Sequence, residues 1–160
     1  MSALRFSGVV GLDPAWSKPC VAAYVVRDGT WVFAEAAHDD WEAWARLFGA
    51  AVDAGCRRVV IEEPYQGASV QTFRLLVTAV AQLEGYAVAA GLEVTRVNTQ
   101  TWMSAMLTVN GHTPKVRKEL LERMVYVARL LGAKVEPAQD DRASAVCLAE
   151  FGRCLGRVVL

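Results

Sequence analysis

The chain has 160 residues, 54% of them hydrophobic and 21% charged, with 17 basic side chains balancing 17 acidic ones. That profile describes one globular domain over residues 1–160 and excludes a disordered tail or a chain that needs disulfides to fold. A formal net charge of zero excludes a uniformly basic surface, so any polyanion site must be local.

Residues Phe6 to Leu12 form a short apolar run rich in Val and Gly that stops at Asp13-Pro14, predicting a first strand with Asp13 at its end. Cys20 to Val26 and Trp31 to Ala36 are two further β-rich runs, joined through Arg27-Asp28-Gly29-Thr30, whose Asp-Gly pair signals a hairpin turn. Asp39 or Asp40 then caps a helix in which Trp41, Trp44, Leu47, Phe48, Ala51 and Val52 recur at helical spacing, and Gly55 closes it. Arg58 to Glu62 reads as a buried strand, because Val59, Val60 and Ile61 are consecutive and β-branched and Pro64 ends the run.

After a loop at Gln66 to Ser69, a long helix runs to about Ala90. Its apolar residues, from Leu75 and Leu76 through Val80 and Leu83 to Val88, spread over most of its circumference. Such a helix needs cover on two sides, predicted here to be the sheet and a second copy of the chain in a homodimer. Glu93 to Val97 follows as a strand parallel to Arg58–Glu62. Thr99 or Thr101 starts a short helix through Leu107, and Val109 to His112 is a loop. Thr113-Pro114 supplies the cap and first position of a helix to about Leu131. The last helix begins at Asp140-Asp141 and buries Ala145, Leu148 and Phe151. This order predicts an α/β, RNase H-like fold with a central mixed five-stranded sheet flanked by helices.

Cys20, Cys56, Cys147 and Cys154 make no CxxC pair and fall in predicted strand or helix interiors, the pattern of a reduced, cytoplasmic protein. No signal-peptide pattern is present, and the most apolar run, Leu75 to Leu83, is too short to span a bilayer, so no membrane partner is expected.

Three acidic positions terminate apolar elements: Asp13, Glu62 with Glu63, and Asp140 with Asp141. Singly, Asp13 also suits a turn and Asp140 or Asp141 an N-cap. Glu62 directly after Val-Val-Ile is costly without a partner. Together they predict a site for hard cations, Mg²⁺ or Mn²⁺. Two such ions roughly 3.5–4 Å apart would clamp a phosphodiester.

Gly11-Leu12-Asp13-Pro14, Val60-Ile61-Glu62-Glu63-Pro64 and Asp140-Asp141-Arg142-Ala143-Ser144-Ala145, in this order and spacing, resemble the RuvC family of Holliday junction resolvases, phage-borne members among them. The resemblance covers nearly the whole chain. It implies a structure-specific endodeoxyribonuclease that hydrolyses four-way DNA junctions as a homodimer, with Asp13, Glu62 and Asp141 as ligands of two Mg²⁺ ions per site. It also implies that Tyr65 stacks on bases of the opened junction and that Lys115, in Gly111-x-x-x-Lys115, reaches the scissile phosphate. One departure stands out: where the family has Asp-x-x-Asp-Ala, Asp141 matches the first Asp and Ser144 replaces the second. Asp140 is then a candidate to supply the missing charge.

Arg96, Lys115, Arg117, Lys118, Arg123, Arg129 and Lys134 concentrate in one stretch against only Glu119 and Glu122, a local DNA-binding stripe within a neutral chain. His38 and His112 are too separate to pair on a metal, and Trp31, Trp41 and Trp44 read as core. Two alternatives fit the same acids: an RNase H-like nuclease similar to YqgF that processes RNA, and a junction-binding protein catalytically weakened by Ser144. An actin-like phosphotransferase would need Gly-rich phosphate loops that the chain lacks, so no nucleotide cofactor is expected.

Overall fold

The computed structural model describes residues 8–65, 67 and 69–158; Phe6 and Ser7 of the expected first strand, and Gln66 and Ala68 of the expected loop, lie outside the described residues. Five strands, β1 (Val9–Asp13), β2 (Cys20–Val25), β3 (Trp31–Ala36), β4 (Arg58–Glu62) and β5 (Glu93–Val97), form one sheet in the order β3-β2-β1-β4-β5. The β1–β2 and β2–β3 pairs are antiparallel, whereas β1–β4 and β4–β5 are parallel, giving the expected mixed sheet.

Strand alternation sorts the core into two layers. Val9, Val21, Ala23, Val60 and Val97 face α3 (Thr99–Leu107), α4 (Arg117–Leu130) and α5 (Asp140–Val158). Val10, Leu12, Ala22, Tyr24, Val59 and Ile61 face α1 (Trp41–Asp53) and α2 (Val70–Ala89). Both faces of the central strands are therefore covered, which is why Val59-Val60-Ile61 is continuously apolar.

Of the two possible caps of α1, Asp40 takes the role, accepting from the Ala43 amide. Ser69 caps α2 in the same way through Thr72. α3 begins at Thr99, but the capping side chain is Asn98, which accepts from the Gln100 amide at 2.8 Å.

The start of α4 differs from the sequence expectation: the helix begins at Arg117, not Pro114, and its cap residue Val116 makes no side-chain bond. Val109 and His112 exchange backbone hydrogen bonds at 3.0 Å around Asn110 and Gly111, both at positive φ. That tight turn returns Thr113 to Thr108, where the two hydroxyls pair, so the Thr113 hydroxyl is spent and Pro114 stays outside the helix.

All four cysteines are free, as expected, but Cys56 lies in the loop before β4 and Cys154 is exposed on α5. Trp44 is fully buried, whereas Trp41, expected in the core, is 60% exposed.

Candidate active site

Parallel register brings the first two acids together. Leu12 pairs with Ile61, so Asp13 and Glu62, each the next residue along, end adjacent strands side by side. Both share the face of Val9, Gly11 and Val60, because residues two apart project to the same side, and that is the face covered by α3 and α5.

The third acid arrives on α5, which packs chiefly across β1. A Cβ at Gly11 would stand 1.9 Å from the Ala145 carbonyl oxygen and 2.4 Å from the Ala149 nitrogen, so only glycine lets the helix backbone lie this close to β1. Gly152 does the same farther along: its Cβ would be 2.4 Å from Val60 Cγ2. This close crossing sets the first turn of α5, and Asp141 with it, over the end of β1.

Asp141 there accepts from Lys18 Nζ through both carboxylate oxygens, at 2.9 and 2.8 Å. Glu62 accepts from the indole Nε1 of the fully buried Trp102 at 2.6 Å. The Thr99 hydroxyl faces Glu62 without closing a hydrogen bond and remains a buried polar atom with no partner.

The electrostatics record the crowding. Burial first, then the charges of Glu62 and Asp141, push the Asp13 carboxyl well above its ordinary range, with Lys18 offsetting a smaller part. Glu62 is also raised by burial, an effect that the Trp102 hydrogen bond partly opposes. Its hydrogen bond to Asp141 raises the Lys18 ammonium. Burial dominates at both strand-end acids, and the like charges at Asp13 reinforce it.

Such a cluster suits a cation of hard, oxygen-seeking character. As they stand, no three His, Cys, Asp or Glu side chains among the described residues converge on a single metal position. The donor set nevertheless fits Mg²⁺ or Mn²⁺, since it consists of carboxylates that repel one another and an adjacent hydroxyl that no protein group satisfies.

The other sequence candidates sit outside this cluster. Asp140 is the first residue of α5, not its cap; Gln139 precedes it, and the Gln139 carbonyl accepts from the Ala143 amide. Asp140 adds its negative charge to the field on Lys18. Ser144 is 6% exposed, one turn after Asp141. Tyr65 is exposed just past β4, its ring lying against Gly67, where a Cβ would come 1.9 Å from Cε1. Lys115, Arg117 and Lys118 are exposed at the start of α4 with no ion pair to the three acids.

The basic stripe is narrower than its composition suggests. Arg96 pairs with Glu84 of α2 at 2.6 Å, Arg123 donates to the Leu107 carbonyl and Arg129 to the Val135 carbonyl. Sequence reasoning overlooked Lys18, Trp102 and Thr99. The signal for Lys18 was its place in the Asp13–Cys20 turn, since a short hairpin connection returns to the same end of the sheet.

No protein-family model matches the chain, and no curated protein matches its sequence. Among solved structures, a Thermus thermophilus RuvC in complex with Holliday junction substrate superposes with a TM-score of 0.66 at 15% identity, covering 94% of this chain and 95% of that one. A second T. thermophilus RuvC structure gives 0.58 at 18% identity, covering 92% and 96%. At these identities the likeness is one of fold, and the fold is RNase H-like.

Proposed function

We propose that this chain is a single-domain, RuvC-type structure-specific endodeoxyribonuclease that binds four-way DNA junctions and nicks two strands as a homodimer, using Mg²⁺, with Mn²⁺ as a substitute. The observation that carries the reading is that Asp13 and Glu62 end adjacent strands side by side and that Asp141, on the helix that crosses β1 at Gly11, adds its charge to the field on Asp13. Fold-level likeness to RuvC, one of whose structures holds a junction, supports the same reading.

The residues that would hold the metal are Asp13, Glu62 and Asp141. A divalent cation bound there would polarise the scissile phosphodiester and stabilise charge developing on its oxygens. Trp102 fixes the Glu62 carboxylate in orientation, and the buried floor beneath the strand ends excludes bulk water. The two-ion expectation needs a further donor beyond these three carboxylates, and Ser144, one turn after Asp141, offers only a hydroxyl. Exposed Tyr65 would stack on unpaired bases, a contact worth roughly 1–3 kcal/mol per base. Lys115, Arg117 and Lys118 would contact the phosphate backbone, and α2 would supply the dimer contact.

The test is a cleavage assay on a four-way junction, a linear duplex and a structured RNA, each with Mg²⁺, Mn²⁺ or a chelator. Paired nicks in the junction alone, abolished by the chelator, are expected. Cleavage confined to the RNA would favour the YqgF-like alternative. Tight junction binding without cleavage in either metal would favour the binding-protein alternative, for which buried Ser144 in place of a carboxylate is the specific observation.

A further inference from the structure

Lys18 belongs to the turn between β1 and β2, which is stiffened from both ends. Pro14 and Pro19 fix the backbone at its borders, and Cys20 Sγ both accepts from the Ala15 amide at 3.3 Å and donates to the Ala15 carbonyl at 3.2 Å. From this turn the ammonium spans both oxygens of Asp141 and lines a depression of about 270 Å³ with Pro19, Glu35, Gln139 and Arg142.

An exposed ion pair ordinarily contributes little to stability. This one engages the very carboxylate that α5 contributes to the acidic cluster, while Ser144, one turn further, contributes no charge. Relative to a site with a carboxylate at 144 and no lysine, the chain has lost one negative charge and gained one positive charge. The difference of two charges equals one divalent ion.

We propose that the Lys18 ammonium takes the place of a second metal ion, so that the site holds one divalent cation among Asp13, Glu62 and Asp141 with Lys18 as its fixed cationic partner. The inference rests on the metal-dependent nuclease reading and replaces its two-ion stoichiometry. Lys18 then presents to a phosphate oxygen the positive charge that a second ion would otherwise present.

The experiment counts Mn²⁺ bound to the full chain without DNA, using the electron paramagnetic resonance signal of free Mn²⁺. Wild type is expected to bind one ion per chain and Lys18→Arg the same. Lys18→Met should bind its ion about tenfold more tightly, because a competing positive charge is gone. The double variant Lys18→Met with Ser144→Asp should bind two. Two ions in wild type, or unchanged affinity in Lys18→Met, would overturn the proposal. Asp13→Asn separates this from failure of the underlying reading: if wild type binds Mn²⁺ no better than Asp13→Asn, the metal site itself is wrong. Two Asp13-dependent ions would leave that reading intact and remove the role of Lys18.

Discussion

Trp102 Nε1 donates to Glu62 Oε2 at 2.6 Å, and each residue settles the other's burial. A fully buried indole needs an acceptor for its N–H, and a carboxylate at the end of a central strand needs a donor. Trp102→Phe keeps an aromatic ring but removes the donor and leaves a void where the wider indole sat. A hydrogen bond to a charged group contributes about 1.5–3 kcal/mol and the void adds to it, so the variant should lose about 3 kcal/mol or more in urea unfolding. With Trp102 no longer opposing burial, the Glu62 pKa should rise further and the acidic limb of the cleavage profile should move to higher pH. Unchanged stability and an unchanged profile would remove Trp102 from the site.

Gly11 and Gly49 should respond to the same substitution with opposite sign. The Cβ of Gly11→Ala would meet the backbone of α5, which has no flexible end to move aside, so a loss of about 3 kcal/mol or more is expected together with loss of cleavage. Gly49, inside α1, has nothing within 4 Å of its Cβ position, and Gly49→Ala should stabilise by about 0.5–1 kcal/mol with activity intact. Thermal melts of the two variants decide it; a tolerated Gly11→Ala would mean that the crossing does not position Asp141.

Much of this architecture was legible because strand signals are local. Val59-Val60-Ile61 and the Asp-Gly hairpin fix their own conformations, and strand order then follows from crossover rules. Asp13 and Glu62 were readable as strand-end acids for the same reason. Lys18 and Trp102 were not, since their partners are 123 and 40 residues away in the chain and no local pattern marks either contact. The α4 start failed through competition: Thr113 has good capping chemistry, but the turn at Asn110-Gly111 delivers its hydroxyl to Thr108 first.

Without metal, stability should fall as pH rises through the Asp13 titration. The folded-state pKa is raised above the ordinary 3.8, so between these values the folded protein keeps a proton that the unfolded chain has released. Glu62 is raised from 4.5 and acts in the same direction. Lys18, also raised, contributes stability that persists until the pH exceeds 10.5 and so does not oppose the trend at neutral pH. Asp13→Asn should therefore melt higher than wild type in chelator at about pH 8, by about 2–4 °C for a gain of about 1 kcal/mol, and the gap should close near pH 4. A lower melting temperature for Asp13→Asn at both pH values would contradict the repulsion assigned to the cluster.

Adjacent acids on α5 should behave differently. Asp141 adds its negative charge to the field on Asp13 and is bonded to Lys18, so Asp141→Asn should abolish cleavage and weaken Mn²⁺ binding. Asp140, at the first helical position, interacts with the helix dipole, and Asp140→Asn should cost about 0.3–1 kcal/mol with cleavage retained. Parallel cleavage and melting measurements check the pair. Loss of cleavage in Asp140→Asn alone would shift the ligand assignment by one residue.

The dimer contact is the last point, and the structure changes where it should be tested. Apolar residues all round α2 made Leu76 and Val80 natural interface candidates, but Val80 is fully buried in the core and Leu76 is half-buried, so a charge at Val80 would unfold the protein and report nothing about association. The free apolar positions are Val77 at 39% exposure and Val88 at 59%, three turns apart on the helix, with Val70 at 69% near its start. Val77→Asp combined with Val88→Asp should change monomer stability by less than about 1 kcal/mol, since both side chains already face solvent in the isolated chain. In sedimentation at micromolar concentration wild type should run as a dimer and the double variant as a monomer. The monomer should still bind Mn²⁺ through Asp13, Glu62 and Asp141, yet lose the paired nicks in a four-way junction, because two cuts in one encounter require two sites. A wild-type monomer, or a double variant that remains dimeric, would remove α2 as the interface.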